Sequence, residues 1–419
     1  MIYSYIVMRG LFRALKSRNF RLFFSGQAIS LIGTWMQQTA MSWLVYRISN
    51  SSIILGTTAF LSQIPNLIIS PFAGVFLDRF SKHKILILTQ SLLLLQAIIL
   101  SILTLTHRIE IYQILLLSLF LGIVNSIDAP TRQSFVIEMV ERKEDLGNAI
   151  ALNSFLFNSA RLIGPMISGI LVALVGEGIC FLINAITYIA VIFALILMKL
   201  KNREFEKSQS SILEDLKEGV YYSFNSIVVK NVLIFIFIAS LISSSYSVLL
   251  PIFASEILKG GSETLGFLMS SAGCGALMGA LYLAGRKNIK GIENIIVYAL
   301  FFAGFGLILF SSSRNIFFSI FSLIIVGMSF MLNAVCSNTL VQTIIDDHIR
   351  GRVMSFYVTF FMGAMPIGSY IGGLISKLIG PSNTVLLGGI ICIISALIYY
   401  LRLPILRDKI YSKIKIVSS

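Results

Sequence analysis

Three charged side chains stand inside apolar stretches of this sequence: Asp128, Arg132 and Arg161. A charge in a bilayer-spanning segment costs roughly 2.5–3.5 kcal/mol on insertion scales, so each is a candidate for function. Arg161 lies about twelve residues into its segment, near half-depth at ~1.5 Å per residue. Ser154, Asn158, Arg161, Pro165 and Ser168 recur at helical spacing and share one face. Arg132 follows Asp128 by one turn. A carboxylate beside guanidinium groups can exchange a proton or hold a static ion pair. The expectation is an Asp128/Arg132/Arg161 network bordering a cavity, with Asp128 taking up the proton; a static structural salt bridge is the alternative.

Uncharged polar residues mark further faces. Gln27, Ser30, Thr34 and Gln38 share a face of the first apolar stretch, and Gln63 and Asn66 flank Pro65 in the second. Asn125 lies in the fourth, Asn158 in the fifth, Ser240, Ser243, Ser244 and Ser247 in the seventh, and Asn333 and Ser337 in the tenth. Trp35, Phe60 and Tyr246 supply rings that could stack on an apolar ligand. These residues are the candidate cavity wall, and helix–helix hydrogen bonding is the alternative role for them. Apart from Asp128 no carboxylate lies well inside a span, which favours a neutral, amphipathic or anionic ligand over a multiply charged cation.

The elements that position these residues are apolar helices. Of 419 residues, 56% are hydrophobic and 12% charged, and the mean hydropathy is +0.88, which excludes a soluble protein. About twelve stretches read as spans, because a crossing needs roughly 20 apolar residues with every backbone group bonded internally. They run over 22–46, 53–77, 84–106, 111–136, 149–174, 178–198, 231–254, 264–284, 294–311, 316–345, 353–376 and 383–401. The fold class is therefore all-α and membrane-embedded. The segment 199–230 is the long polar interruption, with an amphipathic helix expected from Ser211 to Val229. It divides the chain into a six-helix bundle over 1–198 and another over 231–401, followed by a basic tail over 402–419.

Of the 33 Lys and Arg residues, 27 fall in one alternating set of loops and termini and 5 in the other. The excess places both termini and the linker in the cytoplasm. The net charge of +14 is read as topology and contact with anionic lipid, not nucleic acid. Cys180, Cys274, Cys336 and Cys392 are irregularly spaced in apolar segments and read as buried hydrophobes. No metal, cofactor or phosphate-loop motif is recognisable, and no residues suggest an enzyme.

Between the second and third spans the chain reads Gly74-Val75-Phe76-Leu77-Asp78-Arg79-Phe80-Ser81-Lys82-His83-Lys84. This resembles motif A of the major facilitator superfamily, matched by Gly74, Asp78, Arg79 and Lys82, with Ser81 in place of a glycine. The resemblance implies a conformational latch that closes the cytoplasmic side. At the corresponding place in the second half Leu283 occupies the aspartate position. In the fifth span Gly164-Pro165-Met166-Ile167-Ser168-Gly169 resembles motif C of that superfamily's exporters, with Ala160 where another glycine is usual. Segments Arg18–Phe23, Gly33–Gln37, Asp128–Ser134 and Arg350–Ser355 are similar to the branch that includes enterobactin-type siderophore exporters and macrolide efflux proteins.

The resemblance covers nearly the whole chain. It implies two pseudo-symmetric six-helix bundles, alternating access, and export of a small amphipathic molecule such as a drug or siderophore in exchange for protons. A multi-pass protein of the cytoplasmic membrane, acting as a monomer among lipids, is expected, and no cofactor. Same-fold import of a nutrient and a non-transporting membrane sensor or assembly factor are the alternatives.

Overall fold

The structure, a computed structural model, describes residues 12–77, 80–199, 221–286 and 290–418. Asp78, Arg79 and most of the expected amphipathic linker helix lie outside these residues. Twelve long helices follow in chain order. They are α1 (Arg18–Ser49), α2 (Ser52–Leu77), α3 (Lys82–Leu105), α4 (Ile111–Met139), α5 (Leu146–Val175) and α6 (Glu177–Ile196). The second set is α7 (Ile227–Ile252), α8 (Ser262–Ala284), α9 (Ile292–Ser312), α10 (Ile316–Ile344), α11 (Asp347–Ile379) and α12 (Pro381–Ser418). α7 begins inside the segment assigned to the linker, with the Ser226 hydroxyl accepting from Val229 N at 3.4 Å. α12 runs on through the segment assigned to the basic tail, where Arg402 donates to Asn231 Oδ1 at 2.7 Å and Arg407 to Asn294 Oδ1 at 2.7 Å.

Eleven of these helices are long and apolar enough to cross a membrane. The exception is α1, which has the length at 32 residues. Its apolarity is diluted by Gln27, Thr34, Gln37 and Gln38, the polar faces that make it useful in the interior of a bundle.

Sharp turns join the paired helices. Gly176 and Gly380, between α5 and α6 and between α11 and α12, both take positive φ, 82° and 84°. Only glycine adopts that conformation without strain, so the two halves use the same device at corresponding joints.

α1–α6 form one bundle and α7–α12 the other. They meet along two seams, α5 against α8 and α2 against α11. Small residues let the backbones approach. A Cβ on Gly266 would lie 2.6 Å from the Pro165 carbonyl oxygen, and one on Gly56 2.6 Å from that of Ser369. One hydrophobic cluster contains residues of both bundles, including Leu44, Tyr46, Phe181, Leu249, Phe253 and Leu265. At the end carrying both termini the cores are separate: Phe20, Phe135 and Leu195 in the first bundle, Val229, Leu340 and Tyr399 in the second. The bundles are joined at the far end and part toward the termini.

Candidate functional site

The first bundle is tied internally by side-chain hydrogen bonds. Asp128 on α4 is buried, and its Oδ1 accepts from Thr89 Oγ1 at 2.7 Å and Gln90 Nε2 at 2.9 Å, both on α3. Its Oδ2 lies 3.6 Å from Arg132 Nη2, one turn along α4. Arg132 Nη1 donates to Gln27 Oε1 on α1 at 3.1 Å. Nearby, Asn184 Nδ2 on α6 donates to Gln37 Oε1 at 2.7 Å, and Gln37 Nε2 donates to Gln96 Oε1 on α3 at 3.0 Å. Gly33 leaves room for this contact, since a Cβ there would sit 2.5 Å from Asn184 Oδ1. Sequence reasoning missed Thr89, Gln90, Gln37, Gln96 and Asn184. The available signal was the 89, 90, 93, 96, 97 face of α3, where the polar residues cluster in an otherwise apolar helix.

Arg161 is elsewhere. It occupies the midpoint of α5, and its guanidinium carbon lies 5.7 Å from the centroid of the Trp35 ring. Trp35 meets Phe157 edge to face, with centroids 5.8 Å apart at 69°. On the other bundle Tyr246 is within electrostatic reach of Arg161 and stacks on Phe330, centroids 6.0 Å apart at 9°. Among the described residues Arg161 forms no ion pair and no hydrogen bond. The sequence-derived trio is thus divided: Asp128 and Arg132 pair, while Arg161 faces the seam between bundles.

The motif C-like residues divide between α1 and that seam. Ser168 Oγ donates to the Met36 carbonyl at 2.9 Å, and a Cβ on Gly164 would meet Trp35 Cβ at 2.5 Å, so both face α1. Pro165 and Gly169 face α8, where Ser262 Oγ donates to the Gly169 carbonyl at 3.0 Å. Of the motif A residues, Lys82 pairs with Glu138 at 3.0 Å within the first bundle, and Gly74 lies in the helical run of α2. Thr34 and Gln38 are exposed on α1; Gln63, Asn66 and Asn125 are partly buried. Asn158 is buried and donates to its own turn at Ser154 O, 2.9 Å. Asn333 is 1% exposed, and neither its Nδ2 nor its Oδ1 has a partner.

Residues 10–415 match the protein-family profile described as transmembrane secretion effector, a branch of the major facilitator superfamily. The chain belongs to that family. It is a multi-pass membrane transporter. The chain is 25% identical to the staphyloferrin A transporter of Staphylococcus aureus over 381 residues, covering 91% of this chain and 95% of that one. It is 23% identical to macrolide efflux protein A of Streptococcus pyogenes over 398 residues, 90% and 96% of the two chains. Its fold is similar to that of a bacterial homologue of the human lysosomal transporter Spinster, solved inward-facing and unoccupied. There the TM-score is 0.72 at 10% identity, over 93% and 97% of the chains.

In this transporter the far end is closed by polar contacts as well as packing. The Tyr46 hydroxyl of α1 donates to Glu256 Oε1, in the π-helical turn Phe253–Ile257 that extends α7. Ser52 Oγ donates to the Gly373 carbonyl at 2.9 Å across the second seam. Between them is a pocket of about 240 Å³, bordered by Asn50 and Ser51 of one bundle and Ser376 and Lys377 of the other.

Proposed function

We propose that this transporter exports a small amphipathic molecule by alternating access, in exchange for protons. The observation that carries the reading is the one-sided contact between bundles. They share a core at the far end and have separate cores at the end bearing both termini, with Arg161 at the level where contact begins. That is the geometry of one half of a cycle in which two rigid bodies rock about a central site. The loop basicity assigns the open end to the cytoplasm of a cell whose cytoplasmic membrane holds the protein. Export is the direction supported by the relative named as a macrolide efflux protein.

Asp128 is the proton site in this scheme, and Arg132 is the partner it releases when protonated. The Gly74, Asp78, Arg79 and Lys82 segment acts as the cytoplasmic latch of the opposite state. The protein works as a monomer surrounded by lipid. Everted vesicles containing the transporter test the reading with radiolabelled fusidate, an amphipathic acid, and neutral radiolabelled chloramphenicol as probes. Accumulation that needs an acidic lumen, so that protons leave as the probe enters, and that collapses with a protonophore is expected. Accumulation in right-side-out vesicles instead would make it an importer.

A further inference from the structure

We propose that Arg161 anchors a carboxylate of the transported molecule, so that the cargo is an amphipathic acid; this rests on the transport reading above. Each acid that this chain buries, among the described residues, has a cationic partner. The buried acids among the described residues are Asp128, Asp145, Glu177 and Glu293. Asp128 has Arg132, Thr89 and Gln90; Asp145 has Arg13; Glu177 has Arg47 at 2.8 Å. Glu293 has Arg407 at 3.5 Å and the Tyr411 hydroxyl at 3.1 Å. Arg161 stands at the midpoint of its helix, deeper than the residues at helix ends, and among the described residues its guanidinium has the face of Trp35 and no anion. A charge within the bilayer is retained where a partner or a function compensates it, and here none of the described residues supplies an anion.

The surroundings fit an acid with an apolar body. A guanidinium lying over an aromatic face keeps its N–H edge free for two parallel bonds to a carboxylate. Trp35 and Phe157 on one bundle, and the stacked Tyr246 and Phe330 on the other, offer flat apolar walls. Asn333 lies one turn along α10 from Phe330 with its amide unpartnered and buried, a second polar group without a ligand in the protein. α8 also packs directly on the Arg161 carbonyl, since a Cβ on Gly273 would lie 2.8 Å from it. An anion held there bears on both bundles at the point where they must rock. A cationic cargo would meet repulsion from Arg161, and Glu256 at the far end is already engaged by Tyr46.

The test is calorimetric titration of the full chain in phosphatidylcholine nanodiscs with 2-naphthoate and with its neutral isostere, 2-naphthamide. Naphthoate should bind about tenfold tighter or more, the worth of a hydrogen-bonded charge pair. Arg161→Gln should remove the preference, and Arg161→Lys, which keeps the charge, should retain part of it and show that the site is otherwise intact. Equal binding of the two compounds, absence of naphthoate binding, or a preference that survives in Arg161→Gln would overturn the proposal. Adding phosphatidylglycerol to the discs should leave the naphthoate affinity unchanged. Competition by that lipid would make a headgroup phosphate the bound anion, and would overturn the cargo assignment. Loading of everted vesicles with radiolabelled fusidate and chloramphenicol runs in parallel. Loading without a naphthoate preference removes this inference and leaves export standing. A preference without loading of any probe leaves the anion site and removes export.

Discussion

The α5–α8 seam can be opened with one methyl group. In Gly266→Ala the new Cβ would sit 2.6 Å from the Pro165 carbonyl oxygen and 3.0 Å from the Gly169 Cα. Both obstacles are backbone, so no flexible side chain can swing aside. Restoring ordinary van der Waals contact requires the helices to part by roughly 1 Å. Overpacking of this kind costs about 1–3 kcal/mol. The cost falls only on conformations in which the seam is closed, so the equilibrium moves toward the far-end-open state by ~5- to 150-fold. Spin labels at positions 50 and 377, which border the far-end pocket from opposite bundles, read this directly by pulsed electron resonance. The background must lack the native Cys180, Cys274, Cys336 and Cys392. A longer-distance population should appear in Gly266→Ala. Gly147→Ala, where a Cβ meets nothing within 4 Å, should leave the distribution unchanged. A Gly266→Ala distribution identical to that of the parent would refute the claim that seam packing holds the far end shut.

Tyr46→Phe removes the hydroxyl that reaches Glu256 across the bundles. It should shift the same label distances in the same direction by a smaller factor, ~2- to 10-fold for about 0.5–1.5 kcal/mol; no shift would make that contact incidental. Asn184→Leu removes the donor to Gln37. At about 0.6–1.7 kcal/mol per interhelical bond, it should lower the thermal midpoint in detergent by a few degrees while fusidate loading continues. Loss of loading at an unchanged midpoint would give Asn184 a role in transport instead. Asp128→Asn should abolish the dependence of vesicle loading on the proton gradient, with naphthoate binding retained. Full gradient-dependent loading by normally inserted Asp128→Asn protein would exclude the carboxylate as the proton carrier.

The parts of the fold that were legible in the sequence are those set by distance along the chain. Span lengths, the six-plus-six division and the Asp128–Arg132 pair at one-turn spacing are all local properties. The identity of a residue's neighbour on another helix is not local. Helical periodicity shows that Ser168 and Arg161 share a face of α5, yet one bonds to the α1 backbone and the other lies over Trp35. For the same reason Arg161 was grouped with Asp128. Both are charges in neighbouring spans, and nothing in the sequence says that one faces the bundle interior and the other the seam. Gln37 and Gln96 escaped notice because a lone glutamine in an apolar span carries no sign of the partner that satisfies it. The stretch that fails as a span by composition, α1, fails because it supplies Gln27, Gln37 and Trp35 to three different neighbours.

The two kinds of helix contact in this molecule divide the work of motion. Lipid is as apolar as leucine, so no hydrophobic force holds transmembrane helices together, and packing and hydrogen bonds must do it. Inside the first bundle those bonds run side chain to side chain in chains, from Asn184 through Gln37 to Gln96, and from Gln27 through Arg132 to Asp128 and α3. Breaking any one link leaves polar atoms stranded away from water, so the bundle moves as a unit. Along the α5–α8 and α2–α11 seams the contacts are of another sort. Serine hydroxyls reach backbone carbonyls at Gly169 and Gly373, and glycines let the helices touch. When such a seam separates, each hydroxyl can turn back to a carbonyl of its own helix, as Ser271, Thr57 and Thr58 already do. The freed carbonyls keep their own helical bonds. The seam can therefore open without leaving a buried group unsatisfied, whereas the bundle interior cannot, and in the alternating-access cycle we propose this difference puts the hinge between α5 and α8 and between α2 and α11.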